Sequence, residues 1–249
     1  MAIVIKSPRE IELMRQAGRI VAETLAVLAE AVAPGVRTRE LDEIASREVA
    51  LRGGVCSFKG YRGYPASVCV SINDEVVHGI PGERVLREGD VVSLDLGAIY
   101  KGFQGDAALT IAVGKVPPEV ERLIEVTREA LEAGIAVARA GGYLGDISAA
   151  IQEHAEAAGF SVVREYVGHG IGREMHEDPQ VPNFGERGRE PRLVEGMTLA
   201  LEPMVNLGDW HTRVAEDQWT VRTMDGLPSA HFEHTIAITN GAAEVLTAV

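Results

Sequence analysis

Two stretches of the chain share one pattern, a glycine turn followed by an apolar run that ends in a carboxylate. The first is Glu88-Gly89-Asp90-Val91-Val92-Ser93-Leu94-Asp95 and the second is Glu195-Gly196-Met197-Thr198-Leu199-Ala200-Leu201-Glu202; glycines and acids keep the same offset of 107 residues (196 − 89 and 202 − 95). Helix signals keep nearly the same step. Ser7-Pro8-Arg9-Glu10 is a capping box with proline at the first helical position, so a helix is predicted to begin there and to stop at Pro34-Gly35. Thr38 is expected to cap a second helix that ends at Gly53-Gly54, since glycine commonly takes the left-handed C-cap. In the second half Pro117-Pro118-Glu119 opens a helix, Gly141-Gly142 closes it, Asp146 caps another and Gly159 ends that one; these stops fall 106 residues after their counterparts (141 − 35 and 159 − 53). Each half reads helix, helix, then several strands. An α+β chain is expected, one catalytic unit over residues 1–249 with an internal duplication over roughly 7–113 and 117–240. Two long copies are too few for a solenoid.

Val91 to Ile99 and Phe103 to Ile111 are β-prone runs on either side of Tyr100-Lys101-Gly102, a hairpin turn. A two-residue loop at Tyr100-Lys101 or at Lys101-Gly102 sets Asp95 opposite or diagonal to Asp106, on the face that Ser93 and Gly97 share, while Leu94 and Leu96 point to the other. In the second half Glu202 shares a face with Ala200, and Glu233 shares one with His231 and Thr235, with Phe232 and Ile236 facing away. The pattern does not place the turn that joins the Glu202 and Glu233 strands.

A charge inside a strand-like run costs several kcal/mol unless it is paired or binds a metal. Two unit charges about 4 Å apart repel by roughly 4 kcal/mol at an effective dielectric near 20. If the four acids meet, they must protonate or bind divalent cations. A nitrogen ligand is available in Gly168-His169-Gly170-Ile171-Gly172, whose glycines allow close backbone approach. Carboxylates with histidine suit Mn, Fe, Co or Zn.

Composition narrows the class. The 249 residues, 46% of them hydrophobic, suffice for a substantial core, and a formal charge of −13 argues against a nucleic-acid surface. No uncharged apolar run is long enough to span a bilayer, and Met1 to Glu10 hold no apolar leader core, so no membrane partner is expected. Two cysteines, Cys56 and Cys69, fit a reducing, cytoplasmic compartment better than a disulfide framework.

His78-Gly79-Ile80-Pro81, the Asp95 and Asp106 pair, Gly168-His169-Gly170-Ile171-Gly172, His176-Glu177-Asp178-Pro179-Gln180-Val181-Pro182-Asn183, Glu202-Pro203 and Phe232-Glu233-His234-Thr235 occur in that order. Together, over about Ser7 to Thr239, they resemble the type I methionine aminopeptidases. The resemblance implies the pita-bread fold, in which two pseudo-symmetric αβ halves surround a dinuclear metal site. It implies hydrolytic removal of the initiator methionine from nascent or newly synthesised polypeptide N-termini, with small second residues preferred. By the same resemblance Asp106 and Glu233 bridge two divalent ions (Co, Mn, Fe or Zn), Asp95 chelates one, and His169 with Glu202 completes the other. Glu202 would also shuttle a proton toward the leaving amine. His78 and His176 match outer histidines that hold the substrate amide and help the tetrahedral intermediate. The methionine pocket maps onto Phe58, Tyr61, Tyr64, Cys69, Met175 and Trp219, aromatic and sulfur surfaces suited to a thioether. Phe58 stands where some relatives carry cysteine. His231 stands where glutamine is common, two residues before Glu233, a place from which it could support a ligand. A monomer in transient proximity to the ribosome is implied.

Single strand acids and histidines are more often structural hydrogen-bonders, and perturbed carboxyls also occur in ion-pair networks; five ligand types in order change that balance. His154, His211 and His234 are read as structural. Cys69, in the strand-like Ala66-Ser67-Val68-Cys69-Val70-Ser71, is read as pocket wall rather than nucleophile. Two alternatives stay open. One is an Xaa-Pro aminopeptidase or prolidase on the same fold, although those relatives usually carry an extra N-terminal domain and only about seventy residues precede His78. The other is a non-catalytic peptide-binding relative, against which the retained ligand types weigh. The 31 residues from Glu202 to Glu233 leave no room for the large helical insertion of type II enzymes, and type I without a zinc-finger extension is the expectation.

Overall fold

The computed structural model describes residues 2–249. Helix α1 (Pro8–Ala31) begins at the capping box: the Ser7 hydroxyl accepts the Glu10 amide and the Glu10 carboxylate accepts the Ser7 amide. In helix α2 (Thr38–Leu51) Thr38 is the first helical residue rather than the cap, which is Arg37. The Thr38 hydroxyl instead donates to the Gly82 carbonyl, so tertiary bonding displaces the expected cap. The first half continues with β1 (Val55–Cys56), β2 (Cys69–Ile72), β3 (Glu75–Val77), β4 (Val91–Tyr100) and β5 (Phe103–Ala112). The second opens with α3 (Pro118–Val137) and α4 (Leu144–Ala157). Asp146 lies inside the first turn of α4, not at its cap, and accepts the amides of Tyr143 and Gly188. The chain then runs through β6 (Ser161–Val162), β7 (Gly168–Gly170), β8 (Glu177–Val181), β9 (Thr198–Leu201), β10 (Met204–Asn206), β11 (Thr212–Val214), β12 (Val221–Thr223), β13 (Ser229–His231), β14 (Glu233–Ala237) and β15 (Glu244–Val245).

The main sheet is antiparallel with strand order β1-β4-β5-β14-β9-β7-β8, β2 pairing with β4 and β15 with β14. It takes the second of the two expected loops between β4 and β5. Tyr100 pairs with Phe103, leaving Lys101 and Gly102 as a two-residue turn with φ of 48° and 81°, the paired positive values that match the twist of a hairpin. One face of the sheet is apolar. Leu94, Leu96, Val92 and Ala98 pack on Ile20, Val21, Leu25 and Leu28 of α1, and Leu199, Leu201 and Ile236 pack with Leu123, Val126, Ile147 and Ile151 of α3 and α4. Helix α1 crosses β5 so closely that a Cβ on Gly105 would stand 2.6 Å from the Gly18 nitrogen. With the helices holding that face, the opposite face is left for polar side chains.

The Glu202 and Glu233 strands belong to one long hairpin that changes sheets part way. Near its base Leu201 pairs with His234 in the main sheet; farther out Met204 pairs with His231 in a separate sheet of order β13-β10-β6. The break falls at Glu202-Pro203 opposite Phe232-Glu233, where proline has no amide to continue the ladder. His231 therefore ends β13 and does not share a continuous strand face with Glu233. A third sheet of order β11-β12-β3 flanks the far end. Among the described residues no helix is long and apolar enough to cross a membrane.

Candidate metal centre

Strand register sets the acids in two neighbouring rows on the polar face of the main sheet. Asp95, Ala108 and Glu233 form one row across β4, β5 and β14. Gly97 and Asp106 begin the next. Thr235 continues it, its hydroxyl accepting the Asp106 amide at 3.0 Å and donating to the Asp106 carbonyl at 2.8 Å, and Ala200 and His169 complete it. Glu202 follows two residues after Ala200, on the same side. Small side chains stand beside these acids and the histidine, Ala108 between Asp95 and Glu233, Thr235 and Ala200 between Asp106 and His169, and Gly97 next to Asp106.

One oxygen each from Asp106 and Glu233 and one ring nitrogen of His169 lie within 4.8 Å of one another, and His169 Nε2 is 3.6 Å from Glu202 Oε1. Asp95 Oδ1, Asp106 Oδ1 and Glu233 Oε1 are buried without a hydrogen-bond partner. Burial first, and the neighbouring acids second, push the carboxyls of Asp106, Glu202 and Glu233 well above the usual range. Burial raises Asp95 to about 7. His169 has the opposite shift, down to about 3 through burial, so its ring is neutral. Its Nδ1 stands 2.9 Å from the Gly170 carbonyl, which can only accept; the ring proton is on Nδ1, and Nε2 offers its lone pair toward Glu202. Orphaned carboxylate oxygens beside a neutral, correctly oriented imidazole are a donor set that fits divalent cations.

These groups line a cavity of about 140 Å³ that is partly open to solvent. Phe58, Tyr64, Cys69, Met175 and Trp219 wall it. The Tyr64 ring stands edge-on to Phe58 and Trp219, with centroids 6.5 and 5.1 Å away, while its hydroxyl donates to the Gly79 carbonyl. Cys69 pairs with Asp95 across β2 and β4, and burial pushes its thiol well up, so it stays protonated and inert. At the mouth the Tyr61 hydroxyl is 2.9 Å from His176 Nδ1, and the His176 ring centroid is 4.2 Å from that of His169. His78, at φ 61°, stands edge-on to Tyr166 with its pKa lowered by burial to about 4.

Every residue expected at the site from sequence lines this one cavity: the four acids and the histidine of the ligand set, His78 and His176, and the aromatic and sulfur residues including Tyr61. The histidines set aside lie elsewhere, His154 on Glu129, His211 on Asp209 and His234 on Thr247. His231 is buried, its Nε2 without a partner, and does not line the cavity. Sequence reading missed Arg62, which does line it, and the supports from Thr235 and from Asn183, whose amide donates to the Glu202 carbonyl at 3.0 Å. Arg62 carries one local signal, its place between glycines in Gly60-Tyr61-Arg62-Gly63.

Residues 12–240 match metallopeptidase family M24. A methionine aminopeptidase of Clostridium acetobutylicum is 53% identical over 246 residues, covering 98% of each chain. Methionine aminopeptidase 1 of Bacillus subtilis is 51% identical over 247 residues, covering 99% of this chain and 100% of its own. The crystal structure of a methionine aminopeptidase from Thermotoga maritima superposes with a TM-score of 0.98 at 48% identity, covering 100% of both chains.

Proposed function

The chain belongs to metallopeptidase family M24 and has its pita-bread fold, and from that premise we propose that it is a methionine aminopeptidase, releasing the first residue of newly made polypeptides that begin with methionine. One observation carries the reading to its substrate: the wall of Phe58, Tyr64, Cys69, Met175 and Trp219 and the carboxylate–histidine set line the same cavity. An apolar recess sized for a flexible side chain thus stands beside a centre able to hydrolyse.

Two divalent ions, of Co, Mn, Fe or Zn, would be held by Asp106 and Glu233 together with Asp95, His169 and Glu202. When bound, such ions acidify a water and polarise a peptide carbonyl. Glu202 keeps part of its surface open to the cavity and is placed to carry a proton from the attacking water to the leaving amine. With the Tyr61 hydroxyl, 2.9 Å away, donating to His176 Nδ1, the ring proton would stand on Nε2, from which His176 would donate to the substrate carbonyl. His78, held neutral by burial, is the second donor. We assign the preference for a small second residue to crowding by His169 and His176, whose ring centroids are 4.2 Å apart. We read residues 1–249 as one catalytic unit of two duplicated halves, monomeric and cytoplasmic, working on chains at or near the ribosome.

Purified protein loaded with Co or Mn should release methionine from Met-Ala-Ser and largely spare Met-Arg peptides. A chelator should silence it and added metal revive it. Preference for Xaa-Pro peptides, or equal rates on Met-Ala and Met-Arg, would overturn the assignment.

A further inference from the structure

Residues 58–64 form a tight turn at the cavity rim. Gly60 donates its amide to the Tyr64 carbonyl, Tyr61 to Phe58, Gly63 to Gly60 and Tyr64 to Tyr61, at 2.8 to 3.2 Å. Gly60 and Gly63 have φ of 87° and 91°, which suits glycine; Arg62 between them is held at φ 50° and ψ 20°, a left-handed conformation that arginine rarely takes. Backbone held in such a state by its surroundings is concentrated at ligand-binding places. The consequence here is one of direction. Arg62 lines the cavity, its Cζ 5.3 Å from the centroid of the Tyr61 ring, and that ring stacks on His176 at 5.5 Å. Its charge is felt at His176, where it adds to burial in lowering the imidazole pKa. Arg62 is exposed and makes no ion pair among the described residues, and no other lysine or arginine lines this cavity.

A peptide with its methionine against the apolar wall and its scissile carbonyl at His176 would leave the cavity past Tyr61, which stacks on His176, and the exposed Arg62, both of which line it. Each residue of an extended chain advances about 3.3–3.6 Å, so the third residue of the substrate comes within reach of the guanidinium. Building on the aminopeptidase reading above, we infer that Arg62 is a specificity-determining residue, selecting substrates with an acidic side chain at the third position and disfavouring basic ones.

The test compares kcat/KM on Met-Ala-Glu-Ser, Met-Ala-Ser-Ser and Met-Ala-Lys-Ser for the metal-loaded protein. An exposed charge contact predicts that the Glu peptide exceeds the Lys peptide by roughly three- to tenfold at low salt, with the ratio shrinking toward one near 1 M salt as charges are screened. R62N keeps a residue that tolerates the left-handed backbone and should bring the ratio close to one; R62E should invert it. Because each ratio is taken within one protein, any general change in activity cancels. A ratio in the natural protein that stays at one, or that ignores salt, overturns the inference without needing either variant, and a ratio that survives in R62N assigns the preference elsewhere and overturns it too. If none of the three peptides loses methionine, the aminopeptidase reading itself has failed, an outcome separate from indifference to the third residue.

Discussion

Lys6 Nζ meets Glu177 Oε2 at 2.5 Å, joining residues 171 positions apart in a pair whose side chains are only 3% and 11% exposed. Glu177 also accepts the amides of Arg173 and Glu174 on its other oxygen, so the segment that carries Met175 and His176 is pinned from both ends of one carboxylate. The N-terminal segment thereby supports the mouth of the cavity.

Removing one partner of a buried pair leaves the other charge uncompensated, which costs about 3–5 kcal/mol. Lys6→Ala should lower stability by that order in denaturant titration and reduce turnover through a loosened His176. Lys6→Arg should recover much of both. Unchanged unfolding midpoints in Lys6→Ala would show that the pair contributes little.

His176 and the ligand set should separate experimentally. His176→Ala is expected to lower kcat by about a hundredfold or more, the usual effect of losing one donor to the developing oxyanion, while metal content measured by atomic spectroscopy stays near that of the natural protein. Tyr61→Phe, which removes only the hydroxyl facing Nδ1, should have a smaller effect on kcat. Loss of metal in His176→Ala would move that residue into the ligand set.

Gly97 faces the recess, where an added Cβ would lie 2.9 Å from Met175 Cε, Phe58 Cε1 and Ser57 Cβ. Gly97→Ala should therefore narrow the recess and raise KM for methionyl peptides several-fold, with metal content retained. An unaltered KM would mean that methionine does not bind against this wall.

In the metal-free protein burial raises Asp95 to about 7, whereas an unfolded aspartate titrates near 3.9. Between these values the folded form holds a proton that the unfolded form releases, so Asp95 makes stability fall as pH rises through about 4 to 7. The side-chain amide introduced by Asp95→Asn cannot titrate. The metal-free variant should match the natural protein near pH 4 and melt several degrees higher by pH 8, at roughly 2–4 °C per kcal/mol for a chain of this size. Saturating metal should reverse the order by rewarding the ionised carboxylate. Parallel melting curves for the two metal-free proteins at all pH values would refute the burial argument.

Much of this centre was legible before any tertiary information because its elements obey short-range rules. The capping box at Ser7 and Glu10 depends on four consecutive residues, and the face shared by Asp95 and Asp106 depends on a pleat of period two joined by a two-residue turn. His231 shows the limit of parity. Counting by twos from Glu233 assumes an unbroken strand, and the hairpin changes sheets at Pro203 and Phe232 between them. Arg62 was missed for a related reason, since its exposed side chain has no periodicity and its reach toward His176 exists only when residues 62 and 176 are neighbours.

By itself the sequence determined that two helices precede the strands in each half, the faces on which the acids stand and, through its motifs, the family, because each of these follows from residues close along the chain. Tertiary structure alone decided that the two rows adjoin. That union needs β5 against β14, the Thr235 hydroxyl clasping the Asp106 backbone 129 residues away, and the helices occupying the opposite face. Contacts so distant in sequence leave no local signature, since they are fixed by packing and hydrogen bonding of the whole sheet.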